Sequence, residues 1–315
     1  MDAVITWVDG SDPKFRQLKA RYSGRNTEDE AVGGATRYYS SGEIYRCVAS
    51  INRFAPFIRK IFIVTKGQDP QLDPFLKRNF PDGYIPYEIV DEKVIMKGYE
   101  EYAPLFNSIA LEALLWRIPG LSEQYLGFCD DFILTAPCRS EDFFPAEGVS
   151  WCYGVRRSIP LTRFKLRKDL AAGKMTYKGP MLNGAAIAGE KWTYVKYDHV
   201  PRPLFKSFYA RFFSEHPEAL IRNISHRFRD PEQFNSEEIQ YLTLLREGRC
   251  RLHHLREFLF IQPRPAEPDY IPRKLRILTG RKKIKFLCIN SIELAPGDQA
   301  KDVFKAIDAI LNIEV

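Results

Sequence analysis

Short apolar runs alternate with amphipathic segments along the first half of the chain. Each run is five or six residues long and rich in β-branched or aromatic side chains, as is typical of strands buried in a sheet. The runs read AVITWV, KIFIVT, PYEIV and QYLGF, at 3–8, 60–65, 86–90 and 124–128. Because helical patterns separate them, the sequence predicts an α/β fold with a mostly parallel sheet flanked by helices.

Three helices are predicted between these strands. Asp12 caps the first, whose first position is a proline, and both residue types favour a helix start. The second helix covers about 43–55, with apolar residues recurring every three or four positions. The third covers about 107–116, begins at an asparagine or serine and stops at the IPG sequence that follows.

The second half of the chain is less regular. GVSWCYGV, at 148–155, predicts a strand, and LNGAAIAG, at 182–189, predicts a short buried strand bounded by glycines. Helical patterns follow from 203 onward. We predict a catalytic α/β domain over 1–262, a proline-rich connection over 263–274, and a C-terminal strand and helix over 275–315 that pack back on the domain.

The charge balance is moderately basic. Forty-seven Lys and Arg oppose 40 Asp and Glu, for a net charge of +7, which suits phosphate-bearing substrates, nucleic acid or an anionic membrane. No run reaches the roughly 18 apolar residues of a membrane span, and no signal peptide is recognisable. The six cysteines lack metal-ligand spacing. We therefore expect a cytoplasmic protein, and the cationic stretch 273–285 suggests peripheral attachment to the inner face of the membrane.

Two acidic clusters directly follow predicted strands: Asp9 with Asp12, and Asp130 with Asp131. Ligands of open α/β sheets bind beyond the carboxyl ends of the strands, and carboxylates are the ligands that Mg²⁺ and Mn²⁺ prefer. The apolar frame GFCDDFIL makes two uncompensated charges costly. Asp130 and Asp131 are therefore candidate metal ligands, whereas Asp12 reads as a helix cap and the role of Asp9 stays open.

Basic and histidine side chains supply further candidates. Arg37 and Arg46 lie near a predicted helix start, which favours anions. Arg227 and Arg229 flank a phenylalanine, a pattern that is more often a solvated surface than a site. His199 precedes a proline-rich turn, where a loop side chain is exposed.

Four blocks of the sequence together resemble the Stealth family of sugar-phosphate transferases. They are DAVITWVDGSDP, RYYSSGEIYRCVASINRFAPFIRKIFIVTKGQDP, PLFNSIALEALLWRIPGLSEQYLGFCDDFIL and DHVPRPL, at 2–13, 37–70, 104–134 and 198–204. The family includes bacterial capsular polysaccharide phosphotransferases and the α/β-subunit precursor of the lysosomal-enzyme N-acetylglucosamine-1-phosphotransferase. Four long blocks in order are far more specific than a short motif.

The resemblance implies a fold related to the GT-A glycosyltransferases, a UDP-sugar donor, a glycan or lipid-linked glycan acceptor, and Mg²⁺ or Mn²⁺. Members transfer hexose-1-phosphate to an acceptor hydroxyl and release UMP. The implied substrate-binding residues are Trp7, Val8, Asp9, Gly10, Arg37, Arg46, Asn107 and Asn183, and Glu43 matches the acidic position between the two arginines. The implied metal ligands are Asp130 and Asp131, and the implied catalytic residues are Asp131, His199 and Arg229.

Departures from the family pattern and rival functions remain. Cys129 stands where the family has asparagine, and Ile109 and Trp116 replace histidines, which puts acceptor choice in doubt. The general base is Asp131 or His199. The absence of a large insertion favours a compact microbial polymer-type enzyme. A glycosyltransferase that releases UDP is one rival; a basic module binding nucleic acid or anionic membranes is another, although no nucleic-acid-binding motif is present.

Overall fold

The computed structural model describes residues 1–24, 34, 38–264, 266–280 and 283–315. Its strands are β1 Asp2–Thr6, β2 Ile61–Thr65, β3 Tyr87–Asp91, β4 Gln124–Cys129, β5 Phe132–Leu134, β6 Ser150–Ser158, β7 Thr193–Tyr197, β8 Arg202–Phe205, β9 Cys250–His253, β10 Phe258–Ile261 and β11 Phe286–Ile289. Its α-helices are α1 Pro13–Tyr22, α2 Glu43–Phe54, α3 Leu72–Asn79, α4 Glu92–Ile95, α5 Ser108–Glu112, α6 Ile159–Ala171, α7 Gly179–Ile187, α8 Lys206–Glu215, α9 Pro217–Ile224, α10 Ser236–Arg246, α11 Tyr270–Leu278 and α12 Gln299–Leu311.

A five-stranded sheet forms the centre, in the order β3-β2-β1-β4-β8. The first four strands are parallel and β8 is antiparallel. Thr6 is in register with Val64 on one side and Cys129 on the other, so β1, β2 and β4 end at one edge. The predicted α/β fold with a mostly parallel sheet is confirmed, and the loops after β1 and β4 meet where such sheets bind ligands.

Two three-stranded sheets extend the centre, in the orders β10-β11-β5 and β7-β6-β9. The C-terminal strand β11 is the middle strand of the first, parallel to β10 and antiparallel to β5. Because β5 begins directly after the acidic pair, this pairing brings residues 286–290 beside it. The division of the chain at 263–274 stays a prediction.

Helix α2 shows how the apolar spacing builds the core. Ile44, Val48 and Ile51 are each at most 1% exposed, and these positions lie on one face of the helix. Burial of that face against the sheet carries Glu43 and Arg46, also buried, into the protein interior. The apolar packing of α2 therefore holds two charged side chains in the protein interior.

The strand predicted at 182–189 is wrong, because these residues lie largely in α7. Pro180 occupies the first turn, where a proline is compatible with a helix. A Cβ on Gly184 would lie 2.7 Å from the carbonyl oxygen of Asn235 and 2.9 Å from the Cβ of Glu238. The small residues thus let α7 approach α10 closely. This packing explains the glycines, and the local sequence pattern, which resembles a strand, does not reveal it.

Two predicted boundaries also move. The helix expected over 107–116 ends at Glu112, and a 3₁₀ turn over Leu115–Arg117 follows it. The proline-rich segment 263–274 is helical from Tyr270, because its last proline lies in the first turn of α11, where it costs no hydrogen bond.

Candidate active site

The acidic pair forms the turn between β4 and β5. Asp130 and Asp131 are half-buried at the carboxyl end of β4. Burial raises the pKa of the Asp130 carboxyl well above its ordinary value, and the charges of Asp131 and Glu43 raise it further. Two carboxylates are therefore held close together at the sheet edge despite their mutual repulsion.

Glu43, at the first position of α2, places a third carboxylate near enough for its charge to act on Asp130. Its side chain is buried and accepts a hydrogen bond of 2.6 Å from the Ser41 backbone N–H. Burial raises the pKa of Glu43, and the charge of Asp131 acts in the same direction. Across the described ranges, no Lys, Arg or His forms an ion pair with any of the three carboxylates. Their oxygens suit a hard divalent cation, which would supply the missing positive charge.

The C-terminal strand supports Asp131. The Cys288 thiol donates to Asp131 Oδ2 over 3.4 Å, and the Asn290 side chain also hydrogen-bonds this carboxylate. Burial raises the pKa of Asp131, which these hydrogen bonds oppose. Since the Ile289 N–H donates to the Asp131 carbonyl oxygen at 3.1 Å, both the backbone and the side chain of Asp131 are fixed from β11.

His199 lies between aromatic rings next to the acidic turn. Its imidazole stacks on Tyr177, with ring centres 5.8 Å apart and planes at 14°, and contacts Phe260 at 5.2 Å and Phe132 at 6.4 Å. Burial lowers the pKa of His199 to about 4, assisted by the charges of Arg202 and other basic groups. A neutral imidazole at pH 7 can accept a proton.

Arg229 is one of the basic groups that the fold brings near His199. Its guanidinium donates to Ser108 Oγ at 3.3 Å, and its charge contributes to the lowered pKa of His199. Burial lowers the pKa of Arg229 itself. A partly desolvated guanidinium without a carboxylate partner among the described residues is suited to binding a phosphate oxygen.

A buried charge cluster behind the acidic turn is a feature that sequence reasoning missed. Arg202 Nη1 lies 3.1 Å from Glu112 Oε2 and 2.5 Å from Glu237 Oε1, and Arg202 Nη2 is 3.8 Å from the Cys129 sulfur. Burial raises the pKa of Glu112 to about 8, although Arg202 opposes the shift. The cluster ties β8, α5 and α10 to the end of β4. Arg202 and Glu112 stand within the recognised blocks, but no pattern pairs residues so far apart.

The turn between β1 and α1, residues 9–12 (the opening turn), caps the helix and is held in place by side-chain hydrogen bonds. Asp12 Oδ1 accepts from the Lys14 N–H at 2.8 Å, which confirms the cap. The Gln68 side chain, which sequence reasoning also missed, accepts from the Asp9 N–H at 3.1 Å and donates to the Asp9 carbonyl at 2.8 Å. A Cβ on Gly10 would lie 2.4 Å from the Tyr38 carbonyl oxygen, so this position requires glycine.

Trp7 and Val8, two of the predicted substrate-binding residues, directly precede the opening turn. Trp7 is half-buried, with its indole N–H 3.4 Å from Ser40 Oγ, and Val8 packs on the aromatic cluster of Phe15, Tyr38 and Phe106. Arg37 lies outside the described residues.

Three predicted substrate-binding residues are engaged elsewhere. Arg46 forms a two-pronged ion pair with Asp308, with both N–O distances 2.7 Å. Asn107 caps α5 and donates to the carbonyl oxygens of residues 226 and 227. Asn183 donates to the carbonyl oxygens of residues 231 and 233. These contacts give all three a structural role in the observed arrangement.

A second group of possible metal ligands lies on the loop that carries Arg229. His226 Nδ1 is 3.6 Å from Asp230 Oδ2, and His226 Nε2 is 3.8 Å from Glu232 Oε2. The two nitrogens face different carboxylates, and Glu232 is exposed. The group reads as surface ion pairs.

Comparisons with known proteins decide the family. Residues 1–27 match Stealth protein CR1, conserved region 1, and residues 37–151 match Stealth protein CR2, conserved region 2. The receptor polysaccharide phosphotransferase of Streptococcus gordonii is 34% identical over 345 aligned positions, covering 99% of this chain and 96% of that protein. The chain belongs to the Stealth family. The resemblance that the four blocks predicted is thereby confirmed.

Two relatives from Streptomyces coelicolor are longer than this chain. An exopolysaccharide phosphotransferase of Streptomyces coelicolor is 31% identical over 304 residues, and a second one is 29% identical over 293. This chain spans about half of their length, 52% and 47%. Among the described residues of this Stealth chain, no helix is long and apolar enough to cross a membrane.

Solved structures resemble this Stealth chain only loosely. The galactosyltransferase LgtC, in complex with donor and acceptor sugar analogues, is 12% identical with a TM-score of 0.46, covering 98% of this chain and 96% of that one. Mouse xyloside xylosyltransferase 1 is 9% identical with a TM-score of 0.41, covering 92% and 97%. The fold assignment therefore comes from the strand order and register of the sheets themselves.

Proposed function

We propose that this chain transfers hexose-1-phosphate from a UDP-sugar to a hydroxyl of a glycan or lipid-linked glycan acceptor, in capsule or other cell-surface polysaccharide synthesis. The supporting observation is the placement of three carboxylates, which form no ion pair among the described residues, at or beside the carboxyl end of β4. His199 and Arg229 lie beside this turn. Positioning and charge stabilisation of this kind dominate phosphoryl transfer.

The metal part of the proposal rests on the acidic cluster. Asp130 and Asp131 would hold Mg²⁺ or Mn²⁺, with Glu43 as an indirect partner through water, since the charges of these carboxylates act on one another at the turn. When bound, the ion would neutralise the diphosphate and stabilise the leaving oxygen. Cys288 and Asn290 orient Asp131 for this role.

The proton and charge transfers are assigned to the remaining groups. The acceptor oxygen attacks the sugar-bearing phosphorus, the bond from that phosphorus to the UMP oxygen breaks, and the hydroxyl proton passes to His199. Arg229 binds the non-bridging oxygens of the phosphoryl group that is being transferred. A donor of this kind stabilises the transition state by about 3 kcal/mol. Trp7, Val8, Asp9 and Gly10 would form the uridine side of the site, at the end of β1 next to the acidic turn.

The test is to identify the nucleotide that the protein releases. Purified protein is incubated with UDP-N-acetylglucosamine or related UDP-hexoses and Mg²⁺ or Mn²⁺, with and without a glycan acceptor, and products are separated by ion-exchange chromatography. UMP, formed only with divalent metal and lost in Asp130→Asn, is the expected result. UDP would replace the proposal by ordinary glycosyl transfer. Donor and acceptor identity follow from the pair that gives UMP fastest.

We also propose that the protein works peripherally at the inner face of the membrane, where a lipid-linked acceptor would be presented. The chain's net charge of +7 supports this location. Co-sedimentation with the membrane fraction at low salt, and release by high salt, would check it.

A further inference from the structure

The positive charge of this protein is concentrated in one short segment. Residues 156–178 contain eight Lys or Arg and one Asp, a net charge of +7. The whole chain has 47 basic and 40 acidic residues, so 39 of each remain elsewhere and cancel. The segment consists of the end of β6, helix α6 and the loop that leads to α7.

These cations are neither buried nor neutralised. Within the described parts of the chain, none of the eight forms an ion pair. Helix α6 buries little: only Ile159 and Thr162 of its 13 residues are buried. The core therefore does not explain the composition of α6, because most of its side chains have no packing role.

The same surface exposes large apolar side chains. Leu161 is 54% exposed and Phe164 is 62% exposed, both on α6. Trp192, which is 73% exposed, lies beside the start of the helix, since its carbonyl oxygen accepts from the Ile159 N–H at 2.8 Å. The Arg167 guanidinium lies 4.6 Å from the centre of the Phe164 ring. Leu161 and Phe164 are three residues apart and so lie on one side of α6. Exposed aromatic and aliphatic side chains surrounded by Lys and Arg suit contact with the headgroup region of a membrane.

We propose that α6, with its flanking residues and Trp192, is the surface by which this protein docks on an anionic lipid bilayer. The basic residues would bind lipid phosphates, and Leu161, Phe164 and Trp192 would enter the headgroup boundary. A soluble polyanion would satisfy the charges but leave these apolar side chains in water, so the exposed hydrophobic residues favour the bilayer.

The surface adjoins the candidate active site. Tyr177, near the end of the segment, is the ring on which His199 stacks. Docking through α6 would hold the acceptor side of the site close to the bilayer. This inference rests on the proposed membrane location but not on the proposed chemistry, because vesicle binding can be measured without turnover.

Vesicle binding separates α6 from the other cationic stretch, 273–285. The test variant carries Arg163→Gln, Lys165→Gln, Arg167→Gln and Lys168→Gln. The matched control loses the same number of charges through Arg273→Gln, Lys274→Gln, Arg276→Gln and Lys283→Gln. Each protein is sedimented with vesicles of phosphatidylglycerol and phosphatidylcholine, and with phosphatidylcholine alone. We expect affinity for anionic vesicles to fall by about tenfold or more in the α6 variant and by about twofold or less in the control.

An apolar pair of variants tests insertion. Leu161→Ser with Phe164→Ser should weaken vesicle binding several-fold, whereas Val94→Ser with Leu294→Ser, which are also exposed, should not. Thermal unfolding confirms that each variant is folded. The proposal is overturned if the native protein ignores anionic vesicles at low salt, or if both charge variants lose binding equally. It is also overturned if the serine variant binds vesicles normally while soluble polyphosphate binds as tightly as they do.

Discussion

The ionised side chain of Asp130 destabilises the metal-free folded protein. In the folded protein its pKa is raised by burial and by neighbouring carboxylates, so the ionised form costs free energy unless a cation is bound. We predict that Asp130→Asn abolishes metal-dependent UMP release yet leaves the metal-free protein more stable, by about 1 kcal/mol. Thermal unfolding with and without Mn²⁺ measures this, and the upward shift of Tm by Mn²⁺ should disappear in the variant.

The sign of the pH dependence follows from the same shift. A carboxyl whose pKa is higher in the folded state binds more protons there, so its contribution to stability rises as pH falls through the raised pKa. The stability advantage of Asp130→Asn over the native protein, both metal-free, should therefore shrink toward acid pH. If the stability difference between Asp130→Asn and the native protein grew at low pH, the raised pKa of Asp130 could not be its cause.

His199 should act on rate more than on binding. Its pKa of about 4 leaves the imidazole unprotonated through the physiological range, so a ring nitrogen is free to accept a proton, and the low pKa makes it a weak base. His199→Ala should lower kcat by about 10² or more and leave UDP-sugar affinity, measured by calorimetry, within a few fold. His253→Ala, an exposed histidine, is the control. Loss of donor binding in the His199 variant would instead make this residue part of the pocket.

Gly10 tests whether the opening turn shapes the donor site. A Cβ there would lie 2.4 Å from the Tyr38 carbonyl oxygen, so Gly10→Ala must displace the turn that Gln68 fixes. We expect UDP-sugar affinity to fall about tenfold or more, because a misplaced contact costs that much or more. Ser11→Ala, in the same turn and exposed, should bind normally. Normal binding by Gly10→Ala would remove the turn from the site.

At the scale of elements, one ion pair fastens α12 to α2. Arg46 is buried, pairs with Asp308 through two hydrogen bonds, and lies 4.1 Å over the Phe304 ring. Asp308→Asn should lower the free energy of unfolding by about 3 kcal/mol, because it leaves a buried guanidinium without its partner. Asp302→Asn, on an exposed turn of the same helix, should cost no more than about 1 kcal/mol. Denaturant titration compares them, and unchanged KM in the Asp308 variant would accord with a structural Arg46.

Sequence predicted those elements whose signals are local. The strands that form β1 to β4 and the cap at Asp12 follow from alternation, length and residue chemistry, and all are present. The prediction of a strand at 182–189 was wrong because Gly184 is needed for close packing of α7 against α10. Only the tertiary structure reveals this contact.

In the candidate site, too, features with a local sequence signal could be predicted and features that depend on distant partners could not. The acidic pair could be predicted because it follows a strand directly. The sequence predicts Arg46 as a substrate-binding residue and cannot reveal that its guanidinium pairs with Asp308, 262 residues away. A basic residue near a helix start looks the same whether it binds phosphate or an aspartate. The buried cluster around Arg202 was missed for that reason too.

At the scale of the whole molecule, the C-terminal strand β11 and helix α12 bury their apolar side chains in the main core. β11 is the central strand of its sheet, every residue of it is buried, and Cys288 contacts Asp131. Ending the chain at residue 262 would expose apolar faces of β5, β10 and α2. We therefore predict that residues 1–262 alone give no cooperative thermal transition, and that co-expression of 263–315 restores one together with the Mn²⁺-induced shift in Tm. A truncated chain that unfolds cooperatively near the Tm of the full chain would show instead that 1–262 is an independent domain.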